Sequence, residues 1–441
     1  MSDFIKKFNS TEEFNSYRSK DGWGYPSVNY IKNGEESSVH YNNELIMQWN
    51  ENDTAKVPSF YGDVSHDDFK AWVDSAAKVC EIKKDGSDFA YLKMSGNNVS
   101  DYALRADGSA SHYNTADKES YLQMTEIKNI NVGLFKDSVK GTKQVRFNFD
   151  AGCPKGFHKW FPNSTSGTKL FGRYDVAPIT SVSAAGTEGI NCCFGTSQGA
   201  WQGTNWDNYT YEKGKWSSNT LLAGIKATNA NLLEETYWEH LVMSYIFSAY
   251  YKTFDTQSVA KGLLSGYNAG YAGQWASGGT DNILTPHGKN TIDKSENQPY
   301  KFMHLENPLH GKQWIWGAGW VGKSVEGKGE YWLTLDDIVA NKTATMSKND
   351  AQFYGTYVAG SAIHDTYISK IDLFGAPTAV GASSSTGFYD GFWADGLADG
   401  RVAYLGGYSD DGSFDGAFAR TFASDASYAS WGRRGRVTMN K

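Results

Sequence analysis

The stretch that decides the reading lies near the C-terminus: Gly406-Gly-Tyr-Ser-Asp-Asp-Gly-Ser-Phe-Asp-Gly-Ala-Phe-Ala-Arg-Thr-Phe-Ala-Ser-Asp-Ala-Ser-Tyr-Ala-Ser-Trp-Gly-Arg-Arg-Gly-Arg436. Two kinds of residue alternate in it. Gly, Phe and Trp are the types that fix a backbone, whereas Tyr, Ser, Asp, Thr and Ala are small or adaptable. From Gly407 to Ser430 there is no Lys, Glu, Gln, Met or Trp, although long charged residues are common elsewhere. Tyrosine among small polar residues is the composition of binding loops, because it offers contact area at low entropic cost while Ser and Gly adapt their hydrogen bonding. The segment therefore reads as a recognition surface on a fixed frame.

Working outward, the strand-like Arg401-Val-Ala-Tyr-Leu405 leads into this segment. Before it come Asp372-Leu-Phe374 and the turn-rich run from Gly381 to Asp390. Trp314 and Trp316 stand two apart and so share one face of a strand, as core residues or as a sugar-stacking pair. A long amphipathic helix is expected from Asn231, with Glu234 three residues on, through Tyr237, Trp238, Leu241, Val242, Tyr245 and Ala249. It should stop before Thr253 and give way to a Gly-rich loop. Tyr121–Ile127 and Val145–Phe149 alternate as strands with one buried face.

Nearer the N-terminus, Ser65-His-Asp-Asp68 signals a helix start before Phe69, Trp72, Val73 and Ala76, and Asp67 and Asp68 read as capping charges. Phe89-Ala-Tyr-Leu92 follows as a strand. Val28–Ile31 and Val39–Tyr41 suggest a hairpin around Gly34. The division expected is residues 1–45 as an N-terminal attachment segment, 46–115 as a small α+β linker domain, and 116–441 as one irregular α+β binding domain.

Composition narrows the function classes. A net charge of -7 opposes phosphate neutralisation, so no nucleic acid partner is expected despite the short Arg433-Arg-Gly-Arg436 tail. No apolar run approaches a secretory core or the roughly 18 residues of a membrane span, which predicts synthesis in a cytoplasm without membrane insertion. Cys80, Cys153, Cys192 and Cys193 lack paired zinc spacing and read as buried free thiols.

In their order, Thr256-Gln-Ser258, Glu306-Asn307 with Trp314-Ile-Trp316, Gly381-Ala-Ser-Ser-Ser-Thr-Gly-Phe388, Arg401–Gly407, Gly416-Ala-Phe418 and Trp431-Gly-Arg-Arg-Gly435 resemble the C-type-lectin-like fold in its formylglycine-generating-enzyme branch. The likeness is to the version that phages and diversity-generating retroelements use, and it covers about two thirds of the chain. The leader, through Pro26-Ser-Val28, Tyr30 and Val39-His-Tyr-Asn42, also resembles an N-terminal piece of gut-phage virion proteins.

The resemblance implies an α+β, irregular C-type-lectin-like domain with a small N-terminal attachment region. It implies a phage virion protein, a tail or head fibre made in the host bacterial cytoplasm, that recognises a bacterial surface glycan or protein. Other virion proteins would meet the N-terminal segment. Fibre architecture implies a homo-oligomer such as a trimer, although no heptad or β-helix repeat is present in the sequence. In that family adenine-directed mutation of asparagine codons excludes Lys, Glu, Gln, Met and Trp from the variable positions. The ligand-facing set implied is Tyr408, Asp410, Asp411, Ser413, Phe414, Asp415, Thr421, Ala423, Ser424, Ser427, Tyr428, Ser430 and Arg433. The frame implied is Gly406, Gly407, Gly416, Phe418, Phe422 and Trp431.

Enzymes of this fold oxidise cysteine with a C-terminal cysteine pair, and no Cys follows Cys193, so no catalytic residues are expected. Calcium-dependent lectins need a Glu-Pro-Asn or Gln-Pro-Asp loop followed by Trp-Asn-Asp. Here Gln298-Pro299 precedes Tyr300, and Asn205-Trp-Asp-Asn208 lies upstream in the wrong order, so neither metal nor cofactor is expected. Asp390, Asp395 and Asp399 form the best carboxylate cluster for a polysaccharide-degrading alternative. The other alternative is a structural fibre or decoration protein that uses the domain for assembly.

Overall fold

The computed structural model describes residues 30–32, 35–37, 43–53, 55–137, 139–178, 189–194, 217–263, 277–290, 297–310, 314–316, 320–325, 328–344, 348–358, 363–381, 387–394, 400–407, 412–428 and 433–441. The chain is a mixed α+β protein dominated by sheets.

At its centre stands the helix Tyr237–Tyr251, whose residues from Tyr237 to Ala249 are all buried. A helix apolar on every side is stable only inside a core. Each fully enclosed large apolar side chain there contributes about 1.5–3 kcal/mol. The helix is entered through Thr236, which accepts from the Glu239 N–H while Glu239 accepts from the Thr236 N–H. It ends at Lys252, held in the left-handed region at φ 59°. The start expected at Asn231 is therefore displaced by five residues. Leu233–Glu234 instead forms a short strand against Val437–Asn440, and that long-range pairing takes the residues that the local Asn231/Glu234 signal would have made helical.

Two sheets flank the core on the N-terminal side of the sequence. A five-stranded antiparallel sheet runs in the order His158–Lys159, Asn131–Asp137, Thr142–Asn148, Glu44–Asn50, Ser59–Gly62. A seven-stranded sheet runs Leu233–Glu234, Val437–Asn440, Thr168–Gly172, Tyr121–Lys128, Ala77–Lys83, Phe89–Ser95, Asn98–Arg105. The boundary expected at residue 115 cuts through both. Glu44–Asn50 pairs along its whole length with Thr142–Asn148, and Ala77–Lys83 pairs with Tyr121–Lys128. One apolar cluster runs from Leu45 and Phe69 through Trp238 to Phe422, so residues 46–115 belong to the same core as the C-terminal region.

Tyr121–Lys128 is buried on both faces rather than one, as befits an interior strand covered from both sides. The helix His66–Ser75 forms as expected, with Ser65 Oγ accepting from the Asp68 N–H at 3.0 Å. A second helix, Ser218–Thr228, was not legible in the sequence pattern; Ser217 and Thr220 cap it reciprocally. Of the leader, Tyr30–Lys32 pairs with Glu35–Ser37 as a hairpin around Gly34, and the rest of the expected Val28–Ile31 and Val39–Tyr41 pair falls in residues 1–29 and 38–42, which lie outside the described residues. Cys80, Cys192 and Cys193 are buried thiols, while Cys153 is exposed, contrary to the expectation for it.

The third sheet carries the opening segment. Its order is Phe353–Val358, Lys328–Leu333, Trp320–Val325, Arg401–Leu405, Arg420–Asp425, Gly391–Ala394, Ile363–Ile371, Pro377–Gly381. Trp314–Trp316 pairs with Arg401–Leu405 and, in parallel, with Arg433–Arg434.

Candidate ligand-binding face

Strand alternation sorts the residues of this sheet into an inner and an outer face. Phe392 and Phe422 point inward, with ring centroids 5.6 Å apart, and both meet Tyr357. Their strands run parallel, with Trp393 paired to Thr421, and Gly391 faces Tyr367 across the neighbouring antiparallel pair. Tyr367, Gly391, Trp393 and Thr421 therefore lie on the outer face.

Above that face pass residues 412–419, and their backbone is tied down from beneath. The Gln257 side-chain amide donates to the Gly412 carbonyl at 3.2 Å and also to the Asp415 carbonyl. Thr256 Oγ1 accepts from the Ala417 N–H at 3.1 Å, and Asp390 Oδ2 accepts from the Phe418 N–H at 2.6 Å. The fully buried Arg420 donates to the Ala417 and Ala419 carbonyls, both at 2.9 Å, and lies over the Tyr237 ring. Thr256 and Gln257 are thus frame residues, which gives the Thr256-Gln-Ser258 motif a mechanical role.

Glycine is required where this loop closes on its surroundings. Gly406 has φ +88°, and a Cβ there would overlap the Leu309 carbonyl oxygen. Gly391 leaves open the space in which Trp393 and Phe414 approach: a Cβ on it would stand 2.6 Å from the Trp393 ring and 2.7 Å from Phe414 Cβ. Phe418 and Phe422 are buried at 0% and 1% exposure, so both act as frame, whereas Trp431 lies outside the described residues.

Of the thirteen ligand-facing positions, Ser413, Ser427 and Tyr428 are exposed, and Phe414, Ala423 and Ser424 are half-buried. Thr421 is buried, its hydroxyl donating to the Trp393 carbonyl at 3.1 Å. Asp415 is fully buried beneath the loop, against Gly407, so its side chain belongs to the interior and not to the exposed set. Tyr408, Asp410, Asp411 and Ser430 lie outside the described residues, and for Arg433 the backbone is placed, in the strand parallel to Trp314–Trp316. Asp425 shapes the far turn by accepting from the Ser427 hydroxyl and from the Ser427 and Tyr428 N–H groups, which holds its carboxyl below the usual range.

Two aromatic residues join the face from other strands. The Tyr367 ring stacks on Phe414 with centroids 4.5 Å apart, and its hydroxyl meets Ser413 Oγ at 2.7 Å. Trp393 approaches Phe414 edge-on at 5.5 Å. Neither carried a signal in the sequence; both reach the face through cross-strand pairing.

Of the carboxylate cluster considered for hydrolysis, only Asp390 lies among the described residues. Asp390 is fully buried and receives a backbone N–H; burial raises its carboxyl well above the ordinary range. Asp395 and Asp399 lie outside the described residues. Among the described residues no group of three or more His, Cys, Asp or Glu side chains could hold a metal ion, and no helix is long and apolar enough to cross a membrane. No protein-family model matches the chain, and no curated protein matches it either.

Proposed function

We propose that the chain is a phage virion receptor-binding protein, and that its C-terminal sheet is a C-type-lectin-like frame presenting a variable face to a ligand on the bacterial surface. The observation that carries this reading is the separation of frame from surface in residues 406–428. The backbone of the loop is held by Thr256, Gln257, Asp390 and Arg420, none of which lies in the segment's variable positions. Ser413, Ser427 and Tyr428 project from it without supporting the core. Exposed side chains of this kind exchange at a cost seldom above about 0.5 kcal/mol, so the surface can change while the fold persists.

A rigid frame under short polar and aromatic side chains favours binding, because little conformational entropy remains to be lost on association. The test is competition: purified chain added to host cells should block adsorption of the particle in a dose-dependent way. Particles that adsorb normally to cells saturated with the chain would overturn the proposal.

A further inference from the structure

We propose that the ligand of this face is a glycan, and that Tyr367 and Trp393 form with Phe414 the subsite that holds a sugar ring; this rests on the receptor-binding reading above. Three half-buried rings meet at one point of the outer face: Tyr367 stacked on Phe414 at 4.5 Å, and Trp393 against its edge at 5.5 Å. The missing side chain of Gly391 lets them close up, since a Cβ would stand within 2.7 Å of Phe414 Cβ and 2.6 Å of the Trp393 ring.

Hydroxyls fringe the rings. Ser413 Oγ and the Tyr367 hydroxyl meet at 2.7 Å, and Ser413 is exposed. Among Tyr367, Gly391, Trp393, Ser413, Phe414 and Thr421 there is no carboxylate, ammonium or guanidinium. A patch of half-exposed rings with hydroxyls at its edge complements a pyranose, which carries an apolar C–H face and a rim of hydroxyls. Tyr367 and Trp393 sit on strands outside residues 408–433, so they supply a constant contact beside the exchangeable ones.

The experiment measures binding of the labelled full chain to cells of the strain on which the particle plates. Cells are untreated, oxidised with mild periodate to cleave sugar vicinal diols, or digested with protease. Periodate should abolish binding and protease should leave it. Trp393→Ala and Tyr367→Ala should each weaken binding roughly tenfold or more, as expected of contact residues at the centre of an interface. Tyr367→Phe, which keeps the ring, should lose about threefold or less. Binding that resists periodate and is lost with protease overturns the glycan inference and leaves the receptor-binding reading standing. Unchanged binding by Trp393→Ala and Tyr367→Ala likewise overturns the subsite. Absence of binding to any untreated cells sinks the receptor-binding reading, and the inference with it.

Discussion

Replacing Gln257 with Ala isolates the mechanical claim about the loop. The Gln257 side-chain amide spans the carbonyls of Gly412 and Asp415. Two neutral hydrogen bonds contribute a net of about 1–3 kcal/mol to holding the loop closed. At about 1.4 kcal/mol per decade, the open form becomes roughly 5- to 150-fold more populated. The global effect is small by comparison. Unfolding entropy near 2.1 cal/mol/K per residue, taken over 441 residues, makes each kcal/mol worth only about 1 °C in Tm. Hydrogen exchange should therefore accelerate by one to two decades at the Ala417 and Phe418 amides, which donate to Thr256 and Asp390. Exchange in the Tyr237–Tyr251 helix should stay as it is, and Tm should fall by about 1–3 °C. Unchanged exchange at residues 412–418 would refute the view that this amide clamps the loop. A Tm loss beyond about 10 °C would assign Gln257 to the global core instead.

The remaining predictions concern the frame and its charges. Burial raises the folded-state pKa of Asp390 above its ordinary 3.8, so its contribution is fully present below that value and is lost as pH rises through the folded pKa. Asp390→Asn removes that pH dependence; Tm at pH 8 should equal or exceed the parent's and converge with it as pH falls below the ordinary carboxylate range, and a variant less stable than the parent at pH 8 contradicts the assignment. Gly406→Ala places a Cβ on the Leu309 carbonyl at φ +88°, so it should cost well over 1 kcal/mol and give the lowest Tm of any single variant here. Gly391→Ala forces Phe414 or Trp393 to move, which near-UV circular dichroism should report together with a loss of about 1–3 kcal/mol.

Much of the framework could be read locally. Ser65 with Asp67 and Asp68 announced its helix because capping is a contact between residues three apart. Phe418 and Phe422, which the resemblance assigned to the frame, are both buried. Long-range pairing was not legible. Asn231 and Thr236 each stand three residues before a Glu, and only the pairing of Leu233–Glu234 with Val437–Asn440, some two hundred positions away, decides between them. For the same reason the proposed boundary at residue 115 fell inside two sheets.

At the site, composition identified the segment but could not orient its members. Asp415 has the same residue type as Asp410 and Asp411, yet the turn closing on Gly407 puts it inside. Thr421 is placed by its pairing with Trp393, which a run of small residues does not display. Tyr367 and Trp393 reach the face through cross-strand pairing with Gly391 and Thr421, information carried by the fold and by no local pattern.

The central claim is that the exposed side chains of residues 413–428 bind while the backbone beneath merely holds them. Its most direct test is the adsorption rate of particles carrying Ser413→Tyr, Ser427→Tyr and Tyr428→Ser together, measured beside the Tm of the purified variant. The account predicts adsorption slowed at least tenfold with Tm within about 2 °C of the parent. Unchanged adsorption from a variant that folds normally would contradict it.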